Sequence, residues 1–219
     1  MLDIAKFDNS FKSELEEVIS QIQVGTPEDS NLAMSHSEKD IFGEKQRAKW
    51  KGLHTSEARC DFTPNRRLCQ HSGVHYICAW RQSKYGMTLT EIKSDPEMVE
   101  TFAKNLAELI TDVLGDFLSQ GGFALVTTPK RRHLVNNFST LTTARTAELL
   151  NLPFYEDCAF AKNKKRVNAV FIPNNIPKEP NVIVIDDFVT TGSTIKAMRN
   201  LLLQYKKNLS FFTGIDNNR

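Results

Sequence analysis

With 219 residues, 40% of them apolar and 25% charged, the chain has room for one α/β domain of about 100–150 residues with an attached region, and it is too apolar to be largely disordered. The opening MLDIAKFDNS lacks a basic segment leading into an apolar run, and no stretch approaches the roughly 18 apolar residues that cross a bilayer, so a cytoplasmic protein without a membrane partner is expected. Four cysteines are too few for a secreted disulfide scaffold of this length, and a net charge of +2 singles out no class of partner.

Phe11, Leu15, Val18, Ile19 and Ile22 recur at helical spacing, which predicts an amphipathic helix over 8–24. From Gly25 to about Gly73 the chain is polar and gives no clear pattern. Val74–Trp80 and Met87–Ile92 read as short strands that could pair as a hairpin. Asp95-Pro96-Glu97 then supplies a cap, a proline for the first helical position and an acidic first turn. A long helix follows, with Val99, Phe102, Leu106, Leu109, Ile110, Val113, Leu114 and Phe117 on its apolar face, and Gly121-Gly122 closes it.

Beyond this point the rhythm becomes strand, loop, helix and strand, the pattern of βαβ units on a parallel sheet. Strands are expected at Phe123–Thr127, Phe154–Phe160, Val167–Ile172, Asn181–Ile185 and Ser210–Ile215, and helices at Leu141–Leu150 and Ser193–Tyr205. Basic residues cluster twice, as Lys130, Arg131 and Arg132 before His133 and as Lys162, Lys164, Lys165 and Arg166, which suits phosphate and nucleic acid alike. The expected fold class is α/β, a parallel sheet flanked by helices with an N-terminal extension. Residues 1–86 would form a helical and irregular accessory region, and residues 87–219 the main domain.

The stretch VIVIDDFVTTGST, Val182–Thr194, carries the most chemistry. Its apolar run is a strand, and Asp186 and Asp187 fall where that strand leaves the sheet, at the edge where open α/β folds bind ligands and where neither is expected to be buried. Thr190, Thr191, Gly192, Ser193 and Thr194 then turn into a helix, a place where successive amides form an anion cradle reinforced by the helix dipole. The lysine of a GxxxxGK[ST] nucleotide loop is absent, so the turn fits a monophosphate better than a triphosphate. The carboxylates would accept hydrogen bonds from the hydroxyls of the attached sugar. Phosphate and ribose diol together describe a reader of ribose 5-phosphate. The bland alternative is a strand–turn–helix whose acidic and hydroxyl side chains only cap the helix.

This stretch resembles the phosphoribosyl pyrophosphate (PRPP) motif of type I phosphoribosyltransferases. The likeness extends to the ComF-like branch through LVTTPKRRH (Leu125–His133), NNFSTLTTARTAELLNLPF (Asn136–Phe154) and KKRVNAVF (Lys164–Phe171), covering roughly Thr88–Ile215. It implies a phosphoribosyltransferase-like domain that binds PRPP and transfers its ribose 5-phosphate to an unidentified base or other nucleophile, releasing pyrophosphate, within nucleotide metabolism. In that reading Asp186 and Asp187 are the catalytic pair and hold Mg²⁺ with PRPP, and residues 190–194 hold the 5′-phosphate. Thr128, Lys130, Arg131 and Arg132 hold the pyrophosphate, and residues 162–166 form a hood. Thr190 stands where hypoxanthine-guanine members carry an acidic residue, which argues against that subclass. The alternative is a non-catalytic protein that senses PRPP or a nucleotide, or one linked to DNA uptake, the DNA link resting on the resemblance alone. A homodimer is compatible with either.

ComF-like proteins often carry an N-terminal four-cysteine zinc module, which directs attention to Cys69, His71, His75 and Cys78. No CxxC pair is present, and a strand at Val74–Trp80 would point His75 and Cys78 to opposite faces. Buried cysteines and surface histidines are the preferred account, with Cys69 and Cys78 kept as the zinc candidates.

Overall fold

The computed structural model describes residues 58–130, 137–162 and 170–217. The strands are β1 (Arg59–Cys60), β2 (Arg67–His71), β3 (Val74–Arg81), β4 (Met87–Thr88), β5 (Phe123–Thr127), β6 (Phe154–Tyr155), β7 (Ala159–Ala161), β8 (Phe171–Pro173), β9 (Asn181–Val189) and β10 (Asn208–Asp216). The helices are α1 (Leu89–Ser94), α2 (Glu97–Leu114), α3 (Phe138–Leu150) and α4 (Ser193–Leu203). Among the described residues, no helix is long and apolar enough to cross a membrane.

Six strands form one sheet in the order β2-β3-β10-β9-β5-β6, parallel except for the edge strand β2. The expected α/β class, a mostly parallel sheet flanked by helices, is the one the chain adopts. From β5 the chain moves outward to β6, then returns to place β9 on the other side of β5 and β10 beyond it. Strand order therefore reverses between β5 and β9, and at such a switch point the diverging connections leave a crevice over the carboxyl ends of the strands.

Side-chain alternation divides the core between the two faces. Ile183 and Ile185 of β9 join Leu125, Phe212 and the apolar stripe of α2 (Phe102, Leu106, Leu109, Ile110), with Phe138 and Ala147 of α3 in the same layer. Val182 and Val184 face the other way, against Ile195, Met198, Leu201 and Leu202 of α4. An aromatic chain runs through the first layer: Trp80 lies 4.8 Å from Phe102, Phe102 lies 5.1 Å edge-on to Phe138, and Phe138 stacks at 6.4 Å on Phe188. This chain brings the core to the residue that follows the acidic pair.

Several local expectations are corrected. Met87–Ile92 is not the partner of Val74–Trp80: Met87 and Thr88 pair with Cys60 and Arg59 in β1. Thr88 then caps α1 in a reciprocal capping box with Glu91, so the segment turns helical at Leu89. The partner of β3 is β2, through a two-residue turn in which Ser72 (φ 51°) and Gly73 (φ 77°) both take the left-handed conformation that matches hairpin twist. The long helix stops at Leu114, where Gly115 takes φ 48°, and a short 3-10 turn follows. The expected strand 154–160 is broken by the turn at Glu156-Asp157, where Asp157 has φ 51°. The helix expected over 8–24, residues 163–166 of the basic run and residues 167–169 of the strand expected at Val167–Ile172 lie outside the described residues, while residues 58–86 supply β1, β2 and β3, two of them in the main sheet.

Candidate functional site

Asp186 and Asp187 lie on β9 beside the switch point. Asp186 is buried, 7% exposed, whereas two open carboxylates were expected. Its Oδ1 accepts a hydrogen bond from Thr128 Oγ1 (2.8 Å), just past the end of β5, and the backbone N–H of Asp187 donates to the same oxygen at 3.2 Å. The Thr128 bond closes the crevice floor across the two diverging strands. Burial, and after it the negative charge of Asp187, push the Asp186 carboxyl up to about 7, while Thr128 and Lys93 pull it the other way.

Asp187 accepts a hydrogen bond from the N–H of Phe188 (2.9 Å) and pairs through Oδ2 with Lys93 Nζ at 2.5 Å. Lys93 also lies 4.6 Å from the centroid of the Phe188 ring. The lysine comes from the last turn of α1, far upstream of Asp187 in the chain. Sequence reasoning missed it, because Lys93 falls between the segment read as a strand, Met87–Ile92, and the next helix, and nothing local marks so distant an ion pair.

The strand then opens into the hydroxyl-rich turn. Gly192 is the N-cap of α4, with φ 64°. A side chain there would be strained by that φ, and its Cβ would fall 2.8 Å from His71 Cβ and 3.2 Å from the His71 carbonyl oxygen. Thr191 and Ser193 share a hydroxyl contact of 3.1 Å, and Ser72 Oγ donates to the Thr191 carbonyl at 2.6 Å. The tip of the β2–β3 hairpin thus buttresses the turn. The Ser72-Gly73 pair was the available signal for this hairpin, and it lay in the polar stretch that showed no pattern.

On the far side of the crevice, Lys130 pairs with Glu156 (2.5 Å) and Asp157 (3.4 Å). Burial opposes its charge, but the Glu156 bond and the charge of Asp157 outweigh that and hold the ammonium above its usual range. Arg131 and Arg132 lie outside the described residues. The structure therefore joins Thr128, Asp186 and Asp187 directly, sets residues 190–194 on the same strand exit, and draws Lys130 toward the β6–β7 turn.

A hard divalent cation suits carboxylate oxygens, and the acidic pair has the right donor type. Two carboxylates are an incomplete set, and among the described residues no cluster of three or more His, Cys, Asp or Glu could hold a metal. Such an ion would need most of its oxygens from a bound substrate. Zinc fits less well at Cys69 and Cys78, since it takes four ligands and here the Arg67 guanidinium lies 2.6 Å from the neighbouring Asp216 carboxylate.

No protein-family model and no curated protein matches the chain. Solved structures similar to it include an orotate phosphoribosyltransferase from Aeropyrum pernix, 16% identical over 62% of this chain and 68% of that one, with a TM-score of 0.38. An adenine phosphoribosyltransferase from Saccharomyces cerevisiae is 17% identical over 69% and 83%, TM-score 0.41. A hypoxanthine-guanine phosphoribosyltransferase from Bacillus anthracis is 19% identical over 57% and 72%, TM-score 0.41. At these values the function has to be read from the chain's own residues.

Proposed function

We propose that this protein binds PRPP at the β9 exit and transfers its ribose 5-phosphate to a nucleophilic acceptor, releasing pyrophosphate. The observation that carries the reading is an acidic pair in the carboxyl-terminal half of β9, beside the switch point of the sheet, followed at the end of the strand by a glycine-started helix turn. The amides of residues 191–194 would take the 5′-phosphate, and Asp186 and Asp187 the ribose hydroxyls. Thr128 fixes the rotamer of Asp186, so that carboxylate is oriented before substrate arrives. Lys130, with Arg131 and Arg132, would attract the diphosphate, for which Lys130 would exchange its pairing with Glu156 and Asp157. Mg²⁺ carried in with the diphosphate would neutralise its charge as the glycosidic bond breaks. Binding such a cation would require Asp187 to release Lys93 and Asp186 to lose its proton, so PRPP binding should liberate protons near neutral pH.

Calorimetry with PRPP and Mg²⁺, followed by pyrophosphate-release assays over a panel of bases and nucleosides, tests the reading. Binding with turnover is expected; binding without turnover on any acceptor would favour a sensor, and no binding would remove the proposal. Changing Asp186 and Asp187 together to Asn removes both carboxyl groups, and with them every negative charge the pair can carry, at constant size. Charge-assisted hydrogen bonds contribute about 1.5–3 kcal/mol each, so PRPP affinity should fall at least about tenfold while the fold persists. Unchanged affinity in a folded double variant would take the acidic pair out of the site.

A further inference from the structure

A second cluster of reactive side chains lies on the α4 face of the sheet, where Cys69 and Cys78 pack with Tyr76 and the apolar residues of α4. Cys69 of β2 and Cys78 of β3 bring their sulfurs to 3.6 Å. They are diagonal neighbours across the hairpin, since Cys69 stands opposite Tyr76 and Cys78 opposite Arg67. Asp216, at the end of β10, sits over the pair: its Oδ2 is 2.6 Å from Arg67 and 3.5 Å from Cys69 Sγ, and its Oδ1 accepts from Tyr76 Oη at 2.9 Å. Cys78 is buried and Cys69 only partly so, which makes Cys69 the more accessible of the two residues.

We propose that Cys69 and Cys78 are a thiol-oxidation site, converted to an intramolecular disulfide by a low-molecular-weight disulfide. Cys78, its own proton first lost to water, accepts the Cys69 proton, and the Cys69 sulfur attacks one sulfur of the reagent, displacing the first thiolate and forming a mixed disulfide on Cys69. The Cys78 proton leaves with that thiolate. Cys78 sulfur then attacks Cys69 sulfur and displaces the second thiolate, which takes a proton from water. Two protein thiols and one disulfide thereby become one protein disulfide and two small thiols. The sulfurs must close from 3.6 Å to about 2.05 Å, a movement within reach of χ1 adjustment and a small shift of the edge strand.

At rest the negative charge belongs on Cys78 rather than on Cys69, so attack by Cys69 waits on transfer of its proton across the 3.6 Å contact. The hydrogen bond from Cys69 holds the Cys78 thiol below its usual range, with Arg67 assisting, and the same bond together with burial raises Cys69. Cys60 on β1 and Cys158 beside β7 are both buried and neither stands across a strand pair from another cysteine, so they are internal controls. The oxidation is coupled to the phosphate turn by strand geometry. Cys69 and His71 share one face of β2, and His71 packs against Gly192, so drawing β2 toward β3 moves the support of that turn.

The test exposes the full chain to glutathione disulfide, followed by intact mass and peptide mapping after alkylation. The expected product has lost two hydrogens, links the Cys69 and Cys78 peptides, leaves Cys60 and Cys158 reduced, and reverts with dithiothreitol. In Cys78→Ser a stable glutathione adduct on Cys69 should accumulate instead. An unreacted wild-type chain, a lasting adduct on wild-type Cys69, or a disulfide between two chains would each overturn the proposal, whether or not the serine variant folds. Oxidation should also shift the Gly192 amide resonance; an unmoved resonance in the disulfide form would overturn the coupling to the turn. None of these readouts depends on PRPP binding.

Discussion

Asp186 holds its carboxyl in a place where ionisation is disfavoured, and this makes the unliganded protein sensitive to pH in a defined direction. The group is raised from the ordinary carboxylate value near 4 to about 7. Below about 4 it is protonated in folded and unfolded chains alike and costs nothing. Between about 4 and about 7 the folded chain keeps a proton that the unfolded chain has lost, so stability falls as pH rises, and above the folded value the full penalty stands. At about 1.4 kcal/mol per unit, the upper bound is roughly 4 kcal/mol. Urea unfolding at pH 4 and pH 8 should show Asp186→Asn gaining stability relative to wild type at the higher pH; a constant difference between the two would refute the assignment. Carboxylates held below their usual range by hydrogen bonds, such as Glu91 and Glu100, act oppositely but cancel in that comparison. Lys93 tunes the same group from a distance. Its ion pair with Asp187 is half-open to solvent and contributes less than about 1 kcal/mol to stability, yet removing its charge by Lys93→Gln should move the Asp186 titration further up, as read from its side-chain carbon resonance. A downward or absent shift would show that the lysine does not act on the pair.

At the scale of elements, the close approach of β10 to α2 depends on Gly214. A Cβ there would lie 2.4 Å from the Phe102 ring and 3.0 Å from the Asp187 carbonyl oxygen. Phe102 is fully buried and central to the aromatic chain, so it has little room to yield. Gly214→Ala should therefore destabilise by about 1–3 kcal/mol through overpacking, and Phe102→Leu should be less costly in the Gly214→Ala background than alone. Additive losses in denaturant unfolding would mean the two do not share space. This contact was invisible in the sequence, where Gly214 sits in an apolar run that reads simply as strand. The elements that were legible are those whose own pattern decides them: α2 by its stripe, β5 and β9 by apolar runs, α4 by its four core positions. Those that were misread are short. Met87-Thr88 has two strand residues followed by a capping box, and in so short a segment the Thr88–Glu91 cap outweighs the β-branched and apolar character that suggested a strand. The candidate site divides in the same way. The acidic pair and Gly192 were legible because one strand and one turn carry them. Lys93, Ser72 and His71 reach the site by tertiary packing, across separations that local pattern does not encode.

For the molecule as a whole, the order β2-β3-β10-β9-β5-β6 has a consequence in time as well as in space. β3 is hydrogen-bonded into the sheet through β10, and residues 77–81 find their partners at 212–216. During synthesis the β2–β3 hairpin therefore emerges long before the strand that anchors it, and β9, with both acidic residues, also lacks one neighbour until residues 208–216 have left the ribosome. Until then the nascent chain displays two unpaired strand edges on either side of a gap one strand wide, and a gap of that kind invites pairing with another chain or capture by a chaperone. The sheet is like an arch whose middle stone is made last, and a chain halted before Asn208 holds the acidic pair without the strand that braces it.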